Sequence, residues 1–201
     1  MSARTMTLTH AMVLGSFCLG FGLLVATTDH FTHDEIALRA IDDLQNSLTQ
    51  VIPPGIHDNN LVKDAVTVKN DEGKPVTVYR AIKAGQVTGL AYEIIGSGYG
   101  GEIHLILGVT PEGHILGVRA TEFRETPGLG DRIDAAKSNW ITKFTGLSLG
   151  NPPVDKWKVK KDGGVFDQFS GATITPRGVV AAIRRGLEFF AAHKAQMLET
   201  H

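Results

Sequence analysis

Cysteine is almost absent from this sequence: Cys18 is the only one among 201 residues. A single cysteine cannot form an intrachain disulfide, and it excludes cysteine-based zinc sites and cysteine-ligated iron–sulfur clusters. Any redox chemistry therefore needs another group. The sequence has 20 Lys and Arg residues and 21 Asp and Glu residues, and no cluster of basic residues offers a binding surface for the phosphate backbone of a nucleic acid. We expect no nucleic-acid partner.

The motifs of common catalytic sites are also missing. The sequence contains no G-x-x-x-x-G-K-[ST] phosphate loop, no H-E-x-x-H zinc motif and no G-x-S-x-G nucleophile motif. Gly96, Gly98 and Gly101 have the spacing of a dinucleotide fingerprint, but a strand-like run follows them where that fingerprint requires a helix. His30 and His33 lie near acidic residues, a pattern more typical of a solvated surface than of a metal site. We predict neither a catalytic residue nor a metal ligand.

A long apolar stretch occupies the start of the chain. Residues 11–26 carry no charge, and the apolar character extends over residues 6–28 with few polar interruptions. A bilayer core needs about 20 such residues as a helix, which is longer than the apolar region of a signal peptide. The length favours a membrane anchor. Small residues near Leu24-Val25-Ala26 leave a cleaved signal peptide as the alternative.

The charges on either side of this stretch predict its orientation. Arg4 precedes it, whereas Asp29 and further acids follow it. Because basic residues stay on the cytoplasmic side, the N-terminus should lie in the cytoplasm. We therefore predict a single-pass anchor over residues 1–28, embedded in membrane lipid. Residues 29–201 should form an extracytoplasmic domain.

A second helix is predicted to begin at Thr32-His33-Asp34-Glu35. This sequence fits a capping box, in which the Thr hydroxyl and the Glu carboxylate accept hydrogen bonds from free helical N–H groups. Apolar residues then recur at helical spacing over residues 38–51, and Pro53 and Pro54 end the pattern.

Alternating apolar residues predict a sheet made of hairpins. The turns Asn70-Asp71-Glu72-Gly73 and Pro111-Glu112-Gly113 each separate two β-prone runs. A further run ends at the glycine-rich segment 96–101, which we expect to be a loop that other groups approach closely. The predicted strands are 66–68, 76–82, 86–95, 102–109 and 114–121.

The last third of the chain is predicted to contain both helices and strands. Residues 133–144 show apolar side chains at helical spacing, and 157–159 and 165–169 resemble short strands. A final helix should begin at Thr175, as N-cap before Pro176 at the first helical position. The pattern as a whole predicts an α+β fold: one N-terminal transmembrane helix, then a largely antiparallel sheet flanked by helices.

One segment, Asp167-Gln168-Phe169-Ser170-Gly171-Ala172-Thr173, combines features that suit a bound phosphate. Its small residues let a bulky group approach the backbone, and Thr173 offers a hydroxyl. The adjacent helix start adds free N–H groups and the positive end of a dipole. Local residues alone leave a second interpretation open, in which Ser170 and Thr175 are turn and cap residues and Gly171 bends the chain.

The pattern D-x-x-S-G-A-T in this segment resembles the flavinylation motif of the FMN-binding domain family. In that family a flavin transferase takes FMN from FAD and joins its phosphate to the hydroxyl of the last Thr. The loops Glu125-Thr126-Pro127-Gly128-Leu129-Gly130 and Gly98-Tyr99-Gly100-Gly101 are similar to those that enclose the flavin. With its apolar N-terminal stretch and its length, the chain resembles the family of G subunits of Rnf (Rsx) ion-translocating electron transport complexes.

This resemblance implies a role for each residue of the three segments. Thr173 would hold FMN covalently by a phosphoester, while Thr175 is a rival attachment site that suits a cap better. The role of Asp167 stays open between recognition by the transferase and fixing of the turn. The remaining residues implied to bind the cofactor are Ser170, Gly171, Ala172, Glu125, Thr126, Gly128, Leu129 and Tyr99. For each loop, a simple Gly- and Pro-rich turn is the alternative.

The resemblance also implies a function, that of a membrane-anchored flavoprotein that relays electrons in a ferredoxin:NAD oxidoreductase complex that translocates ions. Its partners would be other subunits of the complex, with the flavin transferase needed for maturation. Three alternatives remain at this point. They are a component like the C subunit of the sodium-pumping NADH:quinone reductase, a cofactor-free assembly module, and a membrane-anchored flavin sensor.

Overall fold

The computed structural model of the chain describes residues 3–70 and 72–199. It divides into two compact units, Met1–Leu44 and Gln45–His201. One helix, α1 (Ala3–Val51), forms the described part of the first unit and continues into the second. Within it, Leu8–His33 is long and apolar enough to cross a membrane. The apolar side chains of this span are exposed, as in a helix whose partner is lipid.

The prediction of a helix start at Thr32 was wrong, because α1 passes through this point without interruption. The Thr32 hydroxyl donates a hydrogen bond to the carbonyl oxygen of Thr28, at 2.9 Å, one turn earlier in the same helix. Threonine tolerates a helix interior in this arrangement. No Gly or Pro lies between Gly22 and Pro53, so nothing in this stretch forces the helix to end. The side chain of Asp34 lies outside the described part of the helix.

The second unit is built on a five-stranded sheet in which every neighbouring pair is antiparallel and the strands follow in sequence order. This confirms the α+β class and the predicted hairpins, although Asp71 of the first turn lies outside the described residues. The third strand continues to Ser97, two residues further than predicted. The strands are β1 (Val66–Lys69), β2 (Pro75–Lys83), β3 (Gln86–Ser97), β4 (Glu102–Val109) and β5 (Ile115–Glu122).

Helices cover both faces of this sheet. The C-terminal helix α2 (Ile174–Leu198) packs on one face, where the buried Tyr92 hydroxyl donates a 2.8 Å hydrogen bond to the carbonyl oxygen of Gly186. The last turn of α1 packs on the other face, with the backbone of Val51 directly over Gly108. A methyl group at Gly108 would meet the backbone of Val51, and one at Gly186 would meet the side chain of Leu107, so both helices lie close to the sheet at these glycines. The sheet is therefore a rigid layer that holds its connecting loops at its two ends.

The helix predicted over residues 133–144 is not formed. The chain makes two short 3-10 turns there, Gly130–Ile133 and Ile141–Phe144. Between them the Asp134 side chain accepts a hydrogen bond from the N–H of Ala136, and Ser138 Oγ accepts one from the N–H of Trp140. These local bonds satisfy backbone donors that an α-helix would otherwise use. Ile133, Trp140 and Phe144 are buried, as their apolar spacing predicted, but Ala136 is exposed and no α-helix forms.

The two late strands were also predicted wrongly, since that described stretch contains isolated bridges in place of strands, one between Phe169 and Ala172 and one between Val159 and Phe166. Gly163, between them, has a left-handed backbone with φ of 82°, which turns the chain before a ladder can extend. The segment is held instead by an aromatic cluster with ring centroids 4.8–6.3 Å apart. Its members are Trp140, Phe144, Trp157, Phe166 and Phe169.

Candidate functional site

A cavity of about 420 Å³ opens where three connecting segments meet at one end of the sheet. The segments are the β3–β4 loop, the loop that follows β5, and the turn that leads into α2. Its volume falls within the usual range for small-molecule sites, about 300–1,000 Å³. The lining residues are Tyr99, Glu125, Thr126, Leu129, Gly130, Gly171, Ala172, Thr173 and Ile174.

The carboxylate of Glu125 joins these three segments. Its Oε1 accepts a 3.0 Å hydrogen bond from the backbone N–H of Gly100, in the β3–β4 loop. Its Oε2 accepts a 2.5 Å hydrogen bond from the hydroxyl of Thr175, in the first turn of α2. The residue is buried, with 7% of its surface exposed. Two donors that satisfy both oxygens offset the cost of burying the charge.

Glycine is required on both sides of this carboxylate. A methyl group at Gly98 would overlap Glu125 Oε1, and one at Gly130 would overlap Glu125 Oε2. Gly98 and Gly130 are thus explained by the space that the Glu125 side chain occupies between the two loops. A turn that only had to reverse the chain would not need glycine at these positions.

Thr173 and Thr175 lie in different environments. The prediction that Thr175 caps the final helix was wrong: α2 begins at Ile174, and Thr173 holds the N-cap position. Thr175 is fully buried, and its hydroxyl is engaged by Glu125. Thr173 is half-buried and lines the cavity, and its hydroxyl makes no hydrogen bond to any described residue. Of the two hydroxyls, that of Thr173 is available for chemistry.

Asp167 fixes the start of the motif. Its carboxylate forms ion pairs with Lys160 at 2.6 Å and with Lys143 at 3.3 Å, and its backbone carbonyl accepts a 2.8 Å hydrogen bond from Trp140 Nε1. The hydrogen bond from Lys160, followed by that from Lys143, lowers the pKa of the Asp167 carboxyl below its usual value. These contacts anchor the turn to the aromatic cluster through Trp140 and Phe169. Asp167 itself is not among the cavity-lining residues.

Most of the residues expected to bind a cofactor surround this cavity. Those brought together are Tyr99, Glu125, Thr126, Leu129, Gly171, Ala172 and Thr173. Ser170 and Gly128 are exposed and lie outside the lining, and their assignment stays a prediction. Gly171 has a left-handed backbone with φ of 80°, the bend that the second interpretation of this segment expected.

Two lining residues were not predicted, Gly130 and Ile174. Gly130 ends a loop in which other residues were predicted to bind the cofactor, and Ile174 lies between Thr173 and Thr175. Their positions beside predicted residues could therefore have indicated that they line the cavity. The hydrogen bond between Glu125 and Thr175 was also missed, because no local sequence pattern relates residues 50 positions apart.

The cavity offers the groups that an FMN molecule requires. A free hydroxyl and the N-terminus of a 25-residue helix lie together, which suits a phosphate linked as an ester. Tyr99 and Leu129 add apolar surface for an aromatic ring system, and Thr126 adds a polar group at the rim. A cavity with these properties has the size and the chemical groups that suit a phosphorylated aromatic cofactor.

Comparison with known proteins agrees with this site. The model of the FMN-binding domain family matches residues 98–188, which include the cavity loops and most of α2. The chain therefore contains an FMN-binding domain.

Similarity over nearly the whole chain is more specific. The G subunit of the ion-translocating oxidoreductase complex of Cereibacter sphaeroides is 45% identical, over 97% of this chain and 89% of the relative. The proteins of the same name from Stutzerimonas stutzeri and Vibrio vulnificus are 44% and 42% identical, over 90% and 94% of this chain and 79% and 92% of theirs. This chain belongs to the family of G subunits of ion-translocating oxidoreductase complexes. With its apolar span Leu8–His33, it is a membrane protein.

A solved structure shares the fold. The crystal structure of NqrC from Shewanella oneidensis superposes with a TM-score of 0.50 at 24% identity, covering 73% of each chain. At this identity the similarity concerns the arrangement of sheet and helices alone.

Proposed function

We propose that this protein carries FMN esterified to Thr173 and relays electrons within a membrane complex that couples oxidoreduction to ion translocation. The observation that carries this proposal is the free Thr173 hydroxyl, which lines a cofactor-sized cavity at the start of α2. The family membership supports the complex and the FMN-binding domain supports the cofactor.

Attachment of FMN to Thr173 requires a flavin transferase. In this reaction one bond to phosphorus forms as another breaks. The Thr173 oxygen forms a bond to the FMN phosphorus of FAD, the hydroxyl proton is released, the pyrophosphate bond breaks, and AMP leaves. Thr173 meets the requirement for such a reaction because its hydroxyl is accessible from the cavity. Thr175 does not meet it, because Thr175 is fully buried and its hydroxyl donates a hydrogen bond to Glu125.

The residues of the cavity would hold the cofactor in distinct ways. The start of α2 would bind the phosphate through N–H groups that have no intrahelical acceptor. Tyr99 and Leu129 would contact the ring, and Thr126 its polar edge. When bound, FMN supplies reversible electron transfer, whereas the protein fixes its position and its electrostatic surroundings.

The orientation of the membrane anchor would determine on which side of the membrane the site lies. The charge distribution around the span supports a cytoplasmic N-terminus, which would place the FMN domain on the periplasmic side of an inner membrane. The span itself would lie in lipid. A single helix cannot form an ion pathway, so the translocated ion would cross through partner subunits.

Intact-mass measurement of the chain purified from its native host tests the attachment. We expect a mass increase of one esterified FMN, located by digestion on the peptide that contains Thr173. Thr173→Ala should give a folded, membrane-bound protein with no flavin fluorescence after denaturing electrophoresis, whereas Thr173→Ser keeps a hydroxyl and should be labelled. Fluorescence that persists in Thr173→Ala would refute the assignment. A colourless, unmodified wild-type chain would indicate a cofactor-free assembly module instead.

A further inference from the structure

Among the described residues that line the cavity, Glu125 is the only acid. It also differs from three other acids in the segment between β5 and α2. Asp131, Asp162 and Asp167 each have a basic partner within 2.7 Å, namely Lys137, Arg177 and Lys160. No Lys, Arg or His of the described chain forms such an ion pair with Glu125.

The two hydrogen bonds to Glu125 stabilise its charge without cancelling it. The backbone N–H of Gly100 and the hydroxyl of Thr175 are neutral donors, and both oxygens of the carboxylate act as acceptors. The site therefore keeps one net negative charge beside the cavity. Because this charge is buried, solvent and salt screen its field much less than that of a surface group.

We propose that Glu125 is a positioning residue that also lowers the reduction potential of FMN in the cavity. This inference rests on the proposed function, because it requires flavin at this site. Reduction of FMN adds two electrons, supplied in a titration by dithionite, together with protons from the buffer. A fixed negative charge next to the cavity opposes the added electron density and so favours the oxidised form.

The substitution Glu125→Gln tests this charge while keeping the shape of the side chain. Its amide oxygen can accept the hydrogen bond from Gly100, and its NH₂ can donate to the Thr175 oxygen. At a fixed ambient potential we expect the ratio of reduced to oxidised FMN to rise about tenfold, equivalent to about 30 mV for a two-electron couple. The measurement is a redox titration of the full flavinylated chain against a reference dye.

Two variants separate the charge from its structural effects. Thr175→Val removes a hydrogen bond but keeps the Glu125 charge, so the reduced-to-oxidised ratio should not rise. Glu112→Gln removes a charge from an exposed position in the β4–β5 turn, at the other end of the sheet, and should change the ratio by less than about threefold. Fluorescence of the buried Trp140 and Trp157 reports whether each variant is folded.

The outcomes distinguish this inference from the proposed function. A titration of Glu125→Gln that matches the wild type overturns the inference alone, as does an equal rise in Thr175→Val, which would indicate a purely structural effect. If Glu125→Gln does not fold, Glu125→Asp keeps the charge and should titrate within about threefold of the wild type; a tenfold rise there overturns the inference. A wild-type chain without flavin overturns the proposed function and this inference with it.

Discussion

The first turns of α2 have an open side and a packed side. On the open side, Thr173 and Ile174 line the cavity, and Ile174 is 49% exposed. On the packed side, Thr175 is fully buried against Glu125, and Gly178 lies against the backbone of Ser97 at the end of β3. Thr173 and Thr175 are two positions apart and project in nearly opposite directions on the helix, so these two residues separate the two tasks.

The difference explains how an exposed reactive group can be placed accurately. A hydroxyl that must react with an external enzyme has to be accessible, and accessible side chains lose positional restraint. Here the restraint comes from the neighbours of Thr173 on the packed side, which fix the backbone. Changes on the packed side should therefore alter stability, whereas changes on the open side should alter flavin occupancy.

The largest effect on stability is expected from Gly178→Ala. The new methyl group would overlap the carbonyl oxygen of Ser97, and a backbone group cannot rotate away as a side chain can. We expect a loss of about 3 kcal/mol in the free energy of unfolding, at the upper end for overpacking. Denaturant unfolding of the full chain in detergent, followed by Trp fluorescence, measures it.

The matched control for this variant is Gly150→Ala. Gly150 has open space around its position and no left-handed backbone, so the same added methyl should change stability by no more than about 0.5 kcal/mol. Equal losses in the two variants would mean that α2 does not approach β3 as closely as the structure shows.

Thr175→Val and Thr173→Ala test the two sides directly. Thr175→Val leaves one oxygen of the buried Glu125 without its donor, which should cost about 1–3 kcal/mol, while flavin attachment persists. Thr173→Ala removes a hydroxyl that makes no hydrogen bond to the part of the chain that the structure describes, and the unlabelled protein should lose less than about 0.5 kcal/mol. Denaturant unfolding and in-gel fluorescence are measured on both. The comparison fails if Thr175→Val is the variant that loses its flavin.

The local parts of this fold could be predicted from the sequence. The turn at Pro111-Glu112-Gly113 and the alternation on either side of it predicted β4 and β5 to within one residue. The motif that ends at Thr173 predicted a residue that the structure places in the cavity. Such features depend on neighbouring residues, whose preferences are visible in a short stretch.

The remaining parts depend on contacts between distant residues. Glu125 is 25 residues from Gly100 and 50 from Thr175, so its central position in the site required the folded chain. Thr175 resembled a cap because it precedes Pro176, whereas its hydrogen bond to Glu125 is not visible in the local sequence. Trp140 and Phe144 show helical spacing, yet they are buried by an aromatic cluster in which no α-helix forms.

A small effect is expected at Asp167, whose ion pairs hold the chain just before the open side of α2. The pKa of its carboxyl is lowered in the folded protein by Lys160 and then by Lys143. Its contribution to stability is therefore complete above the ordinary aspartate pKa of about 3.9. It is lost as the pH falls through the lower pKa of the folded state.

Asp167→Asn should reproduce this loss at neutral pH and abolish its pH dependence. Since the side chain is about half exposed, we expect about 0.2–1 kcal/mol less stability at pH 7, the range of surface ion pairs. The difference from the wild type should shrink towards zero as the pH is lowered below about 3. Asp155→Asn is the control, since its carboxylate is 3.9 Å from the nearest lysine nitrogen and should show a smaller difference. If the wild-type and Asp167→Asn unfolding curves stay equally separated from pH 7 to acid, the ion pairs do not stabilise the turn, and its anchoring rests on the hydrogen bond from Trp140 alone.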